Sequence, residues 1–396
     1  MSETGTRGER NEKVASAWGD FSRRREDAEA MRLVGWAEHP LVARRLNLRA
    51  SGNENTYWVD WALGALPGVR RGRGLSLGCG SGYIERRIID LGLASFMEGF
   101  DVSEEAVRLA SLKAGERPIE YRVLDLNRGE LPPERYDFAV SAAALHHVTN
   151  LEHCLAQVHR SLKKGGFLVF NEFVGPDRFQ WPEERLELVN RIYRLLPDRY
   201  RHNFITGLSH PRIERKPLAH MIEADPSEAV RSSELLDVTG VFFDTVSLRK
   251  TGGSLLHPLL EGIIGNFSED GPLDVMLLRG LMALEDQLMR GGHLGSDFVF
   301  YTGRKKKPSL PIEEMLKTGG RKMDIITRQE EEILALNRRL EDANVRNSEL
   351  VRALEIRVEE IRKLRERSER LAAENLALKS EGPLKTLRFL RSKLRR

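Results

Sequence analysis

The residues best placed to do chemistry are the glycines of LSLGCGSGYIERRI, residues 75–88, and the acid of GFDVSEEA that follows them. An apolar run, a glycine turn and a helix start succeed one another without a gap. Gly78, Gly80 and Gly82 lack a Cβ, so the turn can tighten and a ligand can lie against the backbone. Asp101 closes the next apolar run, where a carboxylate can accept hydrogen bonds from ribose hydroxyls. A dinucleotide site wants G-x-G-x-x-G, the last glycine easing helix–strand packing. This chain has G-x-G-x-G, with Tyr83 where that glycine would stand. A further acid, Asp125 of YRVLDLN, ends a third apparent strand. Two strand-end acids behind the turn suit a nucleoside carried on an amino acid better than a dinucleotide.

These stretches resemble the class I S-adenosylmethionine-dependent methyltransferases. The resemblance rests on LSLGCGSG, GFDVSEEAVRLA, VLDLN, YDFAVSAAALHHV and LKKGGFLVFNEF, in the family's order and spacing over roughly residues 70–175. It implies S-adenosylmethionine as cofactor, with Leu77, Gly78, Cys79, Gly80 and Gly82 along its methionine part. Asp101 and Val102 would lie at the ribose, and Asp125 and Leu126 beside the adenine. Ala142, Ala143, Ala144 and Leu145 would flank the sulfonium. The family commonly carries an acid two residues before the first glycine; here that residue is Ser76, and Glu85 is available to supply the missing charge.

Methyl transfer is an in-line displacement from a good leaving group, so a protein has mainly to position the nucleophile and exclude water. A hydroxyl acceptor profits from a base. His146, His147 and Glu172 are the candidates, because the resemblance puts all three beside the sulfonium. Arg178, Trp181, Tyr200, Arg201 and His202 are candidates for an acceptor pocket, Trp by stacking on a sugar face and Arg by gripping an anion. Each has an ordinary packing or surface role as its alternative.

The elements that must position these residues alternate strand and helix. Strands are predicted near 74–79, 96–101, 119–124, 136–141 and 166–172, helices near 81–92, 103–114 and 151–163. That alternation predicts a Rossmann-like α/β fold, a doubly wound, mostly parallel sheet with helices on both faces. Late strands near 241–249 and 296–303 would make it seven-stranded. Residues 12–45 read as helical, and NLRASGNENTYW as a loop or cap near the cofactor mouth; together 1–60 form an N-terminal cap. The catalytic domain then spans 61–304. It carries two insertions, 175–235 as a candidate substrate lid and 255–292 as a helical segment that lengthens the core or makes a dimer contact.

KKKPSLPIEEMLKTGG marks a linker over 305–321 by its basic, Pro and Gly content. From 322 to 380 the period changes to seven. Ile326, Ile333, Leu340, Leu354 and Ile361 fall at a, and Leu336, Ala343, Leu350, Leu364, Leu371 and Leu378 at d. A seam sustained over about seven heptads predicts a coiled coil. Asn347 and Asn375 at a meet themselves only in a parallel, in-register homodimer. The competing reading is one long solvated helix. Residues 381–396 form a basic amphipathic tail, suited to a membrane surface. A chain ending at Arg304 is expected to stay soluble and keep the cofactor.

With 396 residues, 40% hydrophobic, the chain can build a sizeable core. The net charge of +4 is unevenly placed. No apolar run approaches a membrane span, and the polar N-terminus is unlike a secretory signal. Cys79 and Cys154 make neither a disulfide framework nor a zinc spacing, so no metal is expected and a cytoplasmic location fits. The basic residues lack a stacking platform, so no nucleic acid is expected. A methyltransferase with a coiled coil and a basic end is similar to bacterial enzymes that modify cell-surface polysaccharide at the inner face of the membrane. That similarity implies a glycan or lipid-linked saccharide as methyl acceptor. A small-molecule methyltransferase dimerised by its coiled coil, and a non-catalytic scaffold, are the alternatives.

Overall fold

The structure, a computed structural model, describes residues 12–16, 34–67, 69 and 71–380, with side chains through Glu374. The basic tail, and residues 17–33 of the expected N-terminal helix, lie outside the described residues. Packing divides the chain into a body ending at Glu331 and a second unit beginning at Glu332.

After helices α1 (Pro40–Ser51) and α2 (Trp58–Ala65), strand β1 (Arg73–Leu77) buries four of its five residues, as a parallel strand covered on both faces must. Helix α3 (Tyr83–Asp90), β2 (Phe96–Asp101), α4 (Glu104–Ala114), β3 (Ile119–Val123), β4 (Tyr136–Ala142), α5 (Leu151–Ser161) and β5 (Leu162–Phe173) follow. Two of these helices begin at a side-chain cap. Ser103 caps α4 by accepting from Ala106 N, and Asn150 caps α5 by accepting from His153 N. Helix α5 buries Leu151, Cys154, Leu155 and Val158, the spacing of one helical face.

Beyond β5 come α6 (Glu183–Leu195), a separate hairpin of β6 (His202–Asn203) and β7 (Leu208–Ser209), α7 (Leu218–Ala224), α8 (Leu235–Phe242) and β8 (Phe243–Gly252). Helix α9 (Leu256–Leu260), α10 (Pro272–Arg290), β9 (Phe298–Lys305) and α11 (Ile312–Ser380) complete the chain. The main sheet has seven strands in the order β3-β2-β1-β4-β5-β9-β8. The first five are parallel; β9 is antiparallel to both of its neighbours. Strand alternation sends Leu75, Leu77, Leu168 and Phe170 into one apolar cluster and Phe138, Val140, Phe167 and Val169 into another. A third cluster joins Trp36 and Val42 to Tyr193, Tyr200, Leu259 and Leu281. The two insertions therefore share one core.

Several expected boundaries move. Helix α1 starts only at Pro40, where His39 Nδ1 accepts from Leu41 N, so 34–39 is not helical and the loop expected over 47–58 shrinks to 52–57. The linker expected over 305–321 is helical from Ile312, straight through Gly319 and Gly320. Packing overrides their poor helix propensity: a Cβ on Gly319 would stand 2.2 Å from Asn150 Oδ1, and Met315 is buried in the first cluster. In the second unit, α11 exposes Leu336, Leu340, Leu350, Leu354, Ile361, Leu364 and Leu371. Among the described residues no helix is long and apolar enough to cross a membrane.

Candidate active site

The glycine turn works by backbone geometry. Gly78, Gly80 and Gly82 all have positive φ (62°, 51° and 78°), which only glycine adopts without strain. A Cβ on Gly78 would lie 2.3 Å from Ala144 Cβ, whereas beside Gly80 there is open space. Asp101 ties the turn to β2: Oδ2 accepts from Gly80 N at 2.9 Å and Oδ1 from Ser103 N at 2.9 Å. Burial pushes its pKa up, against these backbone donors.

The turn borders a cavity of about 520 Å³ at the carboxyl ends of the parallel strands, where open α/β sheets bind ligands. Gly78, Cys79, Gly80, Glu85, Asp101, Val102, Asp125, Leu126, Ala142, Ala143 and Ala144 line it. Three expected neighbours of the cofactor do not. Leu77 is fully buried in the sheet core. Gly82 N bonds back to Cys79 O, and Tyr121 occupies the space beside its Cα. Leu145 lends its amide to Glu172 and its side chain to the core.

Glu85 is the unusual member. It is fully buried, and no hydrogen bond of normal geometry closes on either carboxylate oxygen. Burial raises its pKa to about 7, although Ser76 and Arg86 oppose the shift. An unpaired buried carboxylate costs free energy until a cation meets it. The ammonium group of S-adenosylmethionine fits that need, and Asp101 fits the ribose; the residues present suit the cofactor.

The candidate bases separate in the fold. Glu172 is fully buried and saturated. Its Oε1 accepts from Ser141 Oγ (2.7 Å), Ala144 N and Leu145 N (both 2.9 Å), and its Oε2 from His146 Nδ1 (2.8 Å). Burial would raise its pKa, but His146 and these donors hold it below the ordinary value. It shapes the loop after β4, its two oxygens occupied by these donors. His146 stands between Glu172 and Glu228, whose Oε1 is 3.6 Å from Nε2. Burial disfavours its charge, yet the carboxylates outweigh it and raise its pKa. His146, His147 and Glu228 offer ligand atoms within 4.8 Å of one another.

His147 alone of the three lines the cavity. Its Nδ1 lies 3.1 Å from Ser227 Oγ, and Ser227 donates to Asp225 Oδ1 at 2.6 Å. With that hydroxyl proton committed, Ser227 accepts from Nδ1–H, which leaves Nε2 as the basic atom of the inferred tautomer. Burial, then the charges of His146 and Arg178, hold its pKa well below the ordinary value, so the ring is neutral.

The predicted acceptor residues lie elsewhere. Arg178 is buried and donates to Pro226 O and Glu228 O while pairing with Glu330. Trp181 stacks on Phe179 and donates to Asp297. Tyr200 is 1% exposed, stacked on Phe267 and bonded to Asp274. Arg201 pairs with Asp198, and His202 packs against Phe204 in the small hairpin. Trp181 and Tyr200 are taken up where the two insertions pack together, whereas Arg178, Arg201 and His202 find partners within the first insertion and Arg178 also in the last helix. The remaining cavity wall comes instead from Trp36, Asn47, Tyr57, Trp58, Thr251 and Phe298, with Asn171 and Ser227. Of these only NLRASGNENTYW carried a local signal, its polar run ending in aromatics; the others are brought in from distant segments.

Residues 75–170 match the family described as methyltransferase domain. The chain is 31% identical over 187 residues to demethylmenaquinone methyltransferase of Tropheryma whipplei, covering 45% of this chain and 76% of that one. It is 30% identical over 106 residues to malonyl-[acyl-carrier protein] O-methyltransferase of Bacillus cereus, covering 27% of this chain and 39% of that one. Among solved structures, an S-adenosylmethionine-dependent methyltransferase from Mesorhizobium loti is similar at 20% identity and a TM-score of 0.38. That similarity covers 62% of this chain and 97% of that one.

Proposed function

This chain belongs to the class I S-adenosylmethionine-dependent methyltransferases, and from that premise we propose that it methylates a hydroxyl oxygen of a saccharide, with His147 as the base. The cofactor, when bound, supplies an electrophilic methyl group on a positively charged sulfur that leaves as a neutral thioether. Glu85 would meet its ammonium group and Asp101 its ribose. In the transfer a C–O bond forms to the acceptor oxygen as the C–S bond breaks and sulfur keeps the electron pair. His147 Nε2 takes the hydroxyl proton, and Asp225, 3.7 Å from Nδ1, balances the charge the ring then carries.

The observation that carries this reading is a neutral, oriented imidazole in the cavity wall. The saccharide follows from the wall's make-up: the aromatic faces of Trp36, Trp58 and Phe298 with the amides of Asn47 and Asn171, a pairing that suits a ring with one apolar face and hydroxyl edges. The heptads of 322–380 and the basic residues of 381–396 favour a lipid-linked saccharide, methylated by a parallel homodimer held in the cytoplasm at the inner face of the membrane.

The test incubates the full chain and radiolabelled S-adenosylmethionine with lipid-linked oligosaccharide extract, free sugars, malonyl-acyl carrier protein and demethylmenaquinone. The label should appear as a methyl ether on the oligosaccharide, and His147→Gln should abolish most of it. Label on free sugars alone would move the function to a small-molecule enzyme. Label on carbon, or on the thioester-linked acid only, would overturn the hydroxyl reading. Light scattering of the full chain should give a dimer.

A further inference from the structure

The first turns of α11 are built into the catalytic body, all of them before its end at Glu331. Met315 enters the core and Gly319 sits against Asn150 and Glu152. Lys322 pairs with Glu234 and reaches Glu152 at 3.5 Å. Glu330 is buried and pairs with Arg178. These positions recur at the spacing of one helical face.

Arg178 passes that contact on. Its guanidinium donates to Pro226 O at 2.9 Å and Glu228 O at 3.2 Å, and its own N donates to Ala229 O at 2.8 Å. Arg178, Phe179 and Ala229 all have left-handed backbone, with φ of 54°, 51° and 47°. Non-glycine residues hold such angles only where their surroundings impose them. The turn so held carries Asp225 and Ser227, which orient His147, and Glu228, which faces His146. A second route runs from Lys322 through Glu234 and the fully buried Arg231, which donates to Thr149 O at 2.8 Å. Thr149 N in turn donates to Asn127 Oδ1, in the cavity wall.

We propose that Glu330 and Lys322 are positioning residues of the methyl-transfer site, the start of α11 holding the strained 225–229 turn and through it the His147 ring. The proposal rests on His147 as the base. In Glu330→Gln the Arg178 guanidinium loses the buried counter-charge that Glu330 supplies. Its hold on Pro226 O and Glu228 O then loosens, and the turn is freer to shift.

The experiment uses the full chain with ring-labelled histidine, His147 being assigned by loss of its signal in His147→Gln. In Glu330→Gln, and more weakly in Lys322→Met, the His147 ring resonances and titration midpoint should move while the His39 signal stays. Affinity for S-adenosylhomocysteine should stay within about twofold. With lipid-linked oligosaccharide extract as acceptor probe, Glu330→Gln should lower the rate roughly tenfold, since misplacing a catalytic group by about 1 Å can cost about 100-fold. A lowered melting temperature with unmoved His147 resonances would overturn the proposal and leave Glu330 a structural residue. Should the extract fail as acceptor for the unaltered chain, the saccharide reading falls while the resonances still decide this one. Should His147→Gln keep full turnover, the base assignment falls and this proposal with it.

Discussion

Replacing Glu85 by Gln should stabilise the cofactor-free protein and weaken the cofactor, two effects of opposite sign from one atom. In the folded chain burial raises the Glu85 pKa from 4.5 to about 7. The native state therefore holds its proton over a pH range in which the unfolded chain has released it. Stability from this group is intact below pH 4.5, falls as pH rises, and is fully lost above about 7. The shift of about 2.5 units corresponds to roughly 3 kcal/mol at pH 8, with no discount for solvent because the group is fully buried. Glu85→Gln keeps the shape without the charge. The cofactor-free variant should resist urea better at pH 8, by up to roughly 3 kcal/mol, and no better near pH 4.5. With an ammonium group at the carboxylate the sign reverses: Glu85→Gln should lose about 1.5–3 kcal/mol of affinity, or roughly 10- to 150-fold. At pH 7 the unaltered protein should also release about half a proton more on binding than the variant. Titration calorimetry in two buffers of different ionisation enthalpy measures that difference. Equal affinity and equal proton release in the two proteins would refute the pairing. Equal stability at pH 8 would refute the cost of burying the charge.

Asp101→Ala should weaken S-adenosylmethionine by about 1–3 kcal/mol, measured by calorimetry, because it removes a carboxylate from the cavity and leaves the Gly80 and Ser103 amides without their acceptor. His147→Gln should lower turnover about 100-fold or more. In the unaltered enzyme kcat should stay level as pH falls through the ordinary imidazole range near 6.5, because the His147 pKa lies well below it; a limb at 6.5 would contradict that. A chain ending at Arg304 should unfold readily, reversing the expectation from sequence, since it strips Met315 from the core and leaves Arg178 without Glu330. Thermal melts of that chain against one ending at Glu331, which keeps both contacts, decide the matter.

Local features are written in the chain itself. The period-two and period-3.6 patterns marked the seven strands and the crossover helices to within a few residues, and the glycines, Asp101 and Asp125 lie in consecutive stretches whose backbone must turn at the strand ends. The position of Glu85 was legible for the same reason, one helical turn beyond the glycines. What each isolated polar or aromatic residue meets depends on the folded chain. Glu172 has the position of a base, but five hydrogen-bond donors from 31 positions upstream or nearer saturate it. His146 and His147 are neighbours of one type, yet two carboxylates raise the pKa of the first against burial, while burial and the neighbouring ring lower that of the second. Arg178, Trp181 and Tyr200 read as a ligand pocket, but Trp181 and Tyr200 are taken up where the two insertions pack together, and Arg178 by Glu330 of α11 and the carbonyls of Pro226 and Glu228. Gly319–Gly320 reads as a linker because propensity is a per-residue quantity, and no per-residue quantity can register that Asn150 and Glu152 leave space for nothing larger at Gly319. Helical hydrogen bonding and hydrophobic period act within a dozen residues and survive in the sequence; burial, pKa and pairing depend on partners as far apart as Arg178 and Glu330, 152 residues, or Arg45 and Asp286, 241 residues, and those partners exist only once the chain has folded.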